Sequence, residues 1–439
     1  MRQRSVGYQW YVVILLLLVF ILSYFDRYIL SLVIEPIKHS LHLSDFQVGL
    51  LLGPAFAVFN VVMGIPLGWY ADRASRKWIL FAGIVFWCAM TTGSAFATTF
   101  AALLLLRFGL GLGEAVVTPC SISIISDYFD RVRRPRAISI YMAGPYLGAG
   151  LAFLVGGNLV GWLVSSGHTH FLGIGPFESW QLALLLVGIS GFVIAALMLT
   201  VAEPTRTDRI DKAGRPDISA LRYILARWRG FGSLFLGANC NLALTALTFW
   251  NVPLFQRVYG WNIATIGTVT GLLYFTAGPI GTFIAVWGSR RLGLRHRDAA
   301  MRILLLGLFI AVPMSVLYPI MPSATLAVVA MFIAFIGKSI GTAGSIAALT
   351  LVTPGDIRSR AVAIFNTMVT LVGPLIGPPL IGWAVDYSGN PKSLGVVLSL
   401  FVLVIGIPSI LFVMLGMKHY RRAIDELEAQ VVVAPETGL

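Results

Sequence analysis

Residues 68–77, GWYADRASRK, form a charged turn between two apolar runs, and this turn decides the fold. Gly68 allows two helices to approach closely, because it has no side chain. Asp72 can accept hydrogen bonds from the free N–H groups at the start of a neighbouring helix. The basic residues of the turn are Arg73, Arg76 and Lys77. Basic residues favour the cytoplasmic side of a membrane, so the pattern predicts a cytoplasmic turn between two membrane-spanning helices.

The composition of the whole chain is that of a membrane protein. Of its 439 residues, 57% are hydrophobic and only 12% are charged, and the mean hydropathy is +0.85. Long apolar runs recur from Trp10 to Met417, and a helix needs about 20 such residues to cross a bilayer core of about 30 Å. These runs predict twelve spans, which begin near residues 10, 45, 78, 99, 135, 180, 231, 263, 300, 323, 358 and 391.

The distribution of basic residues predicts the orientation of these spans. The formal net charge is +13, but the positive charge is concentrated in every second loop. The opposite loops carry only Lys38, Arg257 and Lys392. By the positive-inside rule, both termini are predicted to be cytoplasmic. The charge is thus explained by topology and does not indicate a nucleic-acid partner.

An internal repeat divides the chain into two halves. The segment LVGGNLVGW at residues 154–162 recurs as LIGPPLIGW at 375–383, and RAISI from Arg136 recurs as RAVAI from Arg360. Each half has an even number of spans, so the repeats run parallel and are related by an axis along the membrane normal. The predicted domains are a first bundle at 1–201, a cytoplasmic linker at 202–229, a second bundle at 230–417 and a cytoplasmic tail at 418–439.

The linker contains a segment with amphipathic spacing, DISALRYILARWRG. Its apolar face consists of Ile218, Leu221, Leu225 and Trp228. Such a face suits a helix that lies on the membrane surface, and a plain tether is the alternative.

Five ionisable residues lie within predicted spans, where each costs about 3 kcal/mol or more unless it is paired or hydrated. They are Asp26, Arg27, Arg107, Glu114 and Lys338. Asp26 lies about 24 Å along span one, and span four places Arg107 at a comparable depth and Glu114 about 10 Å deeper on the same face. Arg107 is therefore predicted to reach Asp26. Neighbours on a helix diverge by about 100°, so Asp26 and Arg27 cannot both point the same way.

The repeat relates two of these charges. The shift that superposes Arg136 on Arg360 also superposes Glu114 on Lys338. Equivalent positions in a two-fold bundle face each other across its axis, so an anion or zwitterion is predicted to bind between this acid and this base. A structural salt bridge that holds the closed state is the alternative.

The buried carboxyl groups are candidates for carrying a coupling proton. Asp26 and Glu114 can take up and release a proton as the cations around them move, and Arg27, Arg107 and Lys338 are the groups that respond. No glycine-rich loop with a Walker lysine occurs, so ATP is not expected to supply the energy.

The turn at 68–77 resembles the loop signature of the major facilitator superfamily, in which a glycine is followed four residues later by an aspartate, then by arginine, arginine and lysine. The resemblance implies an all-α membrane protein with the major facilitator fold, twelve transmembrane helices in two pseudo-symmetric six-helix bundles. In that family the element latches the cytoplasmic side in the outward-open state. A gating role is thereby implied for Gly68, Asp72, Arg73 and Arg76.

Span five carries a second segment with a family resemblance, YMAGPYLGAG. Its Gly144 and Pro145 resemble the glycine–proline–glycine motif that is common in exporters of the superfamily. Proline removes one backbone hydrogen bond and glycine permits close packing, so these residues are assigned to gating.

The segments SYFDRYIL, EPIKHSLHLSDFQVGLL, RFGLGLGEAVVTP and ISDYF, with those quoted above, resemble the Spinster branch of the superfamily. The branch's acid and arginine of span one fall on Asp26 and Arg27, and its arginine and glutamate of span four fall on Arg107 and Glu114. The resemblance implies a carrier of lysophospholipids, sphingosine phosphate or related amphiphiles, proton-coupled in some members. We expect a multi-pass monomer in a bacterial inner membrane.

The alternative is a proton-coupled organic-anion or sugar-acid symporter of the same superfamily, whose members share the charges of span one and the GEA of span four. The apolar and aromatic residues of spans seven and eight favour an amphiphile, because they supply a slot for an acyl chain. The predicted slot consists of Phe249, Trp250 and Phe275. The predicted cations for the head group are Arg27, Arg107 and Lys338.

Other functional classes have little support in the sequence. His168 and His170 lack the Cys, Asp or Glu partners of a metal site, so no metal or other cofactor is expected. No nucleophile motif or cluster of acidic and histidine residues indicates an enzyme, and a non-transporting scaffold or receptor is the remaining possibility. Cys88, Cys120 and Cys240 fall within spans and are expected to be thiols.

Overall fold

The structure is a computed structural model, and its first half is built from helices that span the hydrophobic layer. It describes residues 5–71, 73–130, 132–167, 170, 171, 173, 175–205, 219–354, 357, 361, 362, 364, 365, 367, 368 and 371–433. Span one is Val6–Ser40, span two is Asp45–Leu52 with Pro54–Ala71, and span three is Arg76–Ser94. Span four is Phe100–Glu114 with Val117–Tyr128, and span six is Ser179–Met198. Span five is Arg134–Tyr141, Gly144–Leu151, the π-helical Ala152–Gly156 and Gly157–Ser166.

The second half follows the same plan. A short linker helix, Ser219–Ala226, precedes span seven at Trp228–Tyr259 and span eight at Ile263–Gly293. Span nine is Ala299–Leu317 and ends in the 3₁₀ turn Tyr318–Ile320, and span ten is Ala324–Leu351. Span eleven is described at the π-helical Leu371–Ile376 and at Gly377–Ser388. The 3₁₀ turn Pro391–Ser393 leads into span twelve, Leu394–Val433.

The predicted fold class is confirmed. Among the described residues, 11 helices are long and apolar enough to cross a membrane. The predicted starts agree with the observed ones within about four residues for all spans but the eleventh, whose predicted start near 358 falls largely outside the described residues. The chain is therefore a multi-pass helical membrane protein.

Polar caps begin several spans. The Ser44 hydroxyl accepts from the backbone N–H of Gln47, whose side chain accepts from the backbone of Ser44 in return. The hydroxyl groups of Thr99 and Ser323 cap spans four and ten by accepting from the backbone N–H of Ala102 and Leu326, without a reciprocal bond. Each cap satisfies N–H groups that have no partner within the helix. The caps therefore fix where these spans enter the apolar layer.

The chain packs as two compact units. The first comprises Met1–Asp211, Phe249–Phe275 and Pro378–Gly389, and the second comprises Lys212–Thr248, Thr276–Gly377 and Asn390–Leu439. The first unit thus contains the ends of spans seven, eight and eleven that the charge pattern places outside. The domain boundaries drawn from the sequence at 201, 229 and 417 stay a prediction.

The linker contains the helix Ser219–Ala226, and the described part of the tail is helical. Leu221, Leu225 and Trp228, three members of the predicted apolar face, are exposed, whereas Ile218 lies outside the described residues. Placement of this face on a membrane surface remains a prediction. Span twelve continues as one helix to Val433, through the predicted start of the tail at residue 418.

Candidate functional site

Asp26 is buried in the first unit and is held by span three. The Thr91 hydroxyl donates to Asp26 Oδ2 over 2.5 Å, and both residues are buried. The other carboxyl oxygen, Oδ1, is buried and has no hydrogen-bond partner among the described residues. An unpartnered oxygen on a buried carboxyl group can accept a proton or water, so Asp26 is positioned by Thr91 and incompletely satisfied.

Glu114 is buried next to Asp26's helix and carries the ion pair of the site. Its Oε2 accepts from the Ser23 hydroxyl over 2.5 Å and from Arg27 Nη2 over 3.2 Å. Spans one and four are therefore joined by an Arg27–Glu114 salt bridge. The sequence predicted that Asp26 and Arg27 point in different directions, and here they bind different helices, Asp26 span three and Arg27 span four.

Arg107 lies close enough to Asp26 to act on it electrostatically, but it forms no salt bridge with it. Arg107 is 2% exposed, and its Nε and Nη2 have no hydrogen-bond partner among the described residues. Arg107 and Asp26 therefore attract each other electrostatically, without the direct contact that the sequence predicted. The reason is that Thr91 orients the carboxyl group of Asp26 toward span three.

Lys338 belongs to the second unit. Its backbone carbonyl accepts from Asn241 Nδ2 over 3.0 Å and from the Thr342 hydroxyl over 2.9 Å. Its ammonium nitrogen lies 5.8 Å from the ring centre of Phe335, and no described carboxylate pairs with it. Asn241 therefore fixes the helix at the position from which this cation projects. The predicted opposition of Lys338 and Glu114 stays a prediction, because the two residues belong to different units.

The aromatic residues proposed for an acyl slot are packed in the first unit. Phe249 is stacked on Tyr28 with ring centres 5.6 Å apart. Trp250 is fully buried, and its Nε1–H donates to the carbonyl of Pro378 over 3.3 Å. The ring of Phe275 covers Gly150, where an added Cβ would come within 2.8 Å of it. Contact of these rings with a substrate remains a proposal.

Charged residues of four spans meet at the predicted outer end of the first unit. Arg257 Nη2 donates to Glu35 Oε1 and to Asp45 Oδ1, each over 2.6 Å, and Lys38 Nζ lies 2.7 Å from the same Asp45 oxygen. The carboxylate of Asp386 accepts from the backbone N–H of Asp45 over 2.9 Å and from the next N–H over 2.7 Å. Sequence reasoning missed this outer cluster, because its members are far apart along the chain.

The predicted cytoplasmic turn anchors span three. Arg76 is buried, and it donates to Asp127 and, over 2.8 Å, to Glu203 Oε1. Asp72 lies outside the described residues. Arg73 is exposed and lies over the ring of Trp69 at 3.6 Å. Nothing lies within 4 Å of a Cβ built on Gly68, so no close helix approach requires glycine there in this conformation.

The predicted gating residues of span five lie at a break in the helix. The first helix of this span ends at Tyr141 and the next begins at Gly144, with Pro145 in its first turn. A Cβ on Gly144 would come within 2.7 Å of the Phe20 ring in span one. The proline thus begins a new helix, and the glycine permits its contact with span one.

Glu203 gives the anchor formed by Arg76 a pH dependence. Burial alone would raise the pKa of this carboxyl group, but hydrogen bonds from the Lys77 backbone and from Arg76 and Ser75 hold the pKa below its ordinary value of 4.5. A lowered pKa stabilises the folded state above the unfolded-state pKa, and this stability is lost as the pH falls through the folded-state pKa. We expect Glu203→Gln to reduce the drop in thermal unfolding temperature between about pH 5.5 and about pH 3.5. The measurement is the thermal unfolding temperature of the purified protein in detergent at both pH values, with Glu426→Gln, at an exposed carboxylate, as the control. If the unfolding temperature of Glu203→Gln falls as much at acid pH as that of the wild type, the assignment is contradicted.

Comparison with known proteins identifies the family. The profile of the Major Facilitator Superfamily matches residues 16–337 and 234–433. The chain belongs to the major facilitator superfamily. It is 29% identical to an MFS-type efflux pump of Mycolicibacterium smegmatis over 95% of this chain and 94% of that protein. It is 26% identical to a probable galactarate/D-glucarate transporter of Bacillus subtilis over 88% of each chain.

A solved structure supports the branch. The chain superposes with a TM-score of 0.80 on a bacterial homologue of the human lysosomal transporter Spinster in an inward-facing, unoccupied conformation. The two are 28% identical over 96% of this chain and 98% of that one. This superfamily transporter therefore lies in the Spinster-like branch, as the segments of its first half predict.

Proposed function

We propose that this membrane protein is a secondary active transporter that moves lysophospholipids, sphingosine-phosphate-like or related amphiphiles by alternating access, coupled to protons. The observation that carries the proposal is the Arg27–Glu114 ion pair, which joins two spans inside an apolar bundle and remains partly open to a ligand. A secondary carrier of this kind requires no cofactor.

Proton and substrate are linked through shared partners. Glu114 binds Arg27 while it is ionised, and protonation of Glu114 releases the guanidinium for an anionic head group. Departure of the head group restores the pair and releases the proton. If binding of the ligand favours one protonation state of Glu114, that protonation state must favour binding of the ligand by the same factor, so the coupling is reciprocal. Asp26, with its one unpartnered oxygen and Arg107 nearby, is the second carboxyl group proposed for the proton.

Arg27 and Arg107 differ in exposure, and we assign them different roles for this reason. The Arg27 side chain is 22% exposed, whereas Arg107 is 2% exposed. We assign the head group to Arg27 first, with Lys338 as a second cation, and we assign to Arg107 the electrostatic balance of Asp26. The acyl chain is assigned to Phe249 and Phe275, with Trp250 behind them.

A proton-coupled carrier of sugar acids or other organic anions is the second candidate. It is favoured by the similarity to a probable galactarate/D-glucarate transporter over 88% of the chain. Both candidates need a cation that binds an anion, and they differ in the apolar slot. The remaining gating assignments, which are Gly68, Asp72, Arg73, Arg76, Gly144 and Pro145, apply to either.

Thermal stabilisation of the purified protein separates the two candidates. A ligand that binds only the folded state raises its stability, so lysolipids and sphingoid phosphates raise the unfolding temperature if the proposal holds, and glucarate does not. Stabilisation by sugar acids alone would replace the proposal by the second candidate. The proposal includes a monomeric protein in a bacterial inner membrane. Both termini are proposed to be cytoplasmic, and labelling of a cysteine introduced into the tail, in intact cells, tests this orientation.

We expect Arg27→Ala to weaken binding of a phosphate-bearing lysolipid by about 10- to 100-fold, because it removes hydrogen bonds to a charged group. Binding of an uncharged analogue with the same acyl chain should change by less than about threefold. Phe249→Ala is the matched variant, and it should weaken both ligands alike. Titration of ligand-dependent unfolding temperatures measures the four affinities. Equal losses for charged and uncharged ligands in Arg27→Ala would show that this arginine is structural.

A further inference from the structure

Two aromatic rings lie next to the Arg27 guanidinium. Its central carbon lies 3.9 Å from the ring centre of Phe56 and 4.5 Å from that of Tyr24. A cation over an aromatic face is attracted by the ring's quadrupole, and the attraction is strongest where water is excluded. Sequence reasoning found Arg27 because it is charged, but it gave no sign of either ring.

The chain is built so that these rings reach the arginine from different helices. Tyr24 precedes Arg27 by three residues in span one, so both side chains lie on one helical face. Phe56 is in span two, shortly after the break between its helices at Gly53. A Cβ on Gly111 of span four would come within 2.4 Å of the Phe56 carbonyl oxygen. Gly111 therefore lets span two approach closely enough for the Phe56 ring to cover the guanidinium.

A ligand that forms two parallel hydrogen bonds with Arg27 must reach it at the edge of the guanidinium. Glu114 uses this edge through a single hydrogen bond of 3.2 Å rather than through a two-point fork. The Nε–H is buried without a hydrogen-bond partner among the described residues, and the side chain as a whole is 22% exposed. The buried Nε–H is out of a ligand's reach, so an anion would bind the exposed part of this side chain. The edge of a guanidinium matches two oxygens of a carboxylate or phosphate, a geometry that a lysine ammonium cannot reproduce.

We infer that Tyr24 and Phe56 are positioning residues that hold the guanidinium of Arg27 in one orientation, so that its edge selects ligands with a terminal oxyanion able to accept two parallel hydrogen bonds. The inference rests on the proposed function, since it concerns the same cation. It adds that selectivity depends on the orientation of the guanidinium and not on positive charge alone. A phosphate monoester or a carboxylate fits this requirement, and a phosphocholine, whose phosphate is masked on one side, fits it less well.

Binding to purified full-length protein tests the inference. The probes are lysophosphatidic acid and the monoacylglycerol with the same acyl chain, and the readout is the ratio of their affinities. We expect Phe56→Leu, which keeps the apolar volume and removes the ring face, to reduce this ratio by about tenfold, and Phe56→Tyr to restore it to within about twofold. Arg27→Lys, which keeps the charge, should lose the preference as Phe56→Leu does.

Each outcome has a separate meaning. If Phe56→Leu or Arg27→Lys keeps the wild-type ratio while wild-type protein binds the charged probe, the inference is overturned and the proposed function stands. If wild-type protein binds neither probe, the proposed function fails instead. Unfolding temperatures without ligand show whether Phe56→Leu folds. If it does not fold, Tyr24→Leu tests the other ring next to the same guanidinium. Tyr24→Phe is then the variant expected to restore the affinity ratio.

Discussion

Glu114→Gln should remove the proposed dependence of transport on a proton gradient, and Asp26→Asn should do the same. Each change replaces a buried carboxyl group by a neutral amide of the same shape, which cannot take up or release a proton. Glu114→Gln also leaves Arg27 without its ionised partner, so the guanidinium is available in every state. Stimulation of uptake by a gradient should therefore be lost in each variant.

Uptake of a labelled substrate into liposomes, with and without an imposed pH gradient, measures this effect. Glu426→Gln is the control, because Glu426 is an exposed carboxylate that pairs with Arg227 in the second unit. It should keep the wild-type response. If both Glu114→Gln and Asp26→Asn also keep that response, neither carboxyl group carries the proton and the coupling route lies elsewhere.

The charged members of this site could be predicted from the sequence, and their contacts could not. A charge inside an apolar run is visible without a structure, which is how Asp26, Arg107 and Glu114 were found. Rise per residue fixes the height of each group, but it leaves the rotation of one helix about its axis relative to another open. The sequence therefore predicted a contact between Arg107 and Asp26, whereas the structure places Thr91 there.

Uncharged partners were missed for a related reason. Serine, threonine and aromatic residues are frequent in membrane spans, so Ser23, Thr91 and Phe56 carry no signal of their own. The fold was easier to predict, because apolar length, alternating basic loops and the internal repeat act over the whole chain.

Gly382→Ala should stop transport by preventing the outer end of the first unit from closing. A Cβ on Gly382 would lie 2.0 Å from the carbonyl oxygen of Asp45 and 2.5 Å from its carbon. These are backbone atoms, so they cannot turn aside as a flexible side chain would. Gly49 makes the reciprocal approach, since a Cβ there would come within 2.4 Å of the Pro378 carbonyl oxygen. Spans two and eleven therefore meet here backbone to backbone.

The methyl group would separate the groups that hold this end together. Asp386, one helical turn beyond Gly382, binds two backbone N–H groups at the start of span two, and Arg257 binds the Asp45 carboxylate. Hydrogen bonds lengthen and weaken steeply beyond about 3.2 Å, so a displacement of about 1 Å removes them together. An overpacked contact costs about 1–3 kcal/mol, and each 1.4 kcal/mol shifts a conformational equilibrium about tenfold.

A carrier that works by alternating access must close this end before it can open the other, so loss of closure stops the cycle. We expect uptake by Gly382→Ala to fall to about a tenth of the wild-type rate or less. In a Phe249→Cys background, the buried position 249 should react faster with an impermeant thiol reagent added from outside once Gly382 is replaced. Gly64→Ala is the matched control, because nothing lies within 4 Å of a Cβ at that helical glycine. If Gly382→Ala keeps the wild-type uptake rate and the wild-type labelling rate, the contact between spans two and eleven accommodates a methyl group. Closure would then depend on other residues.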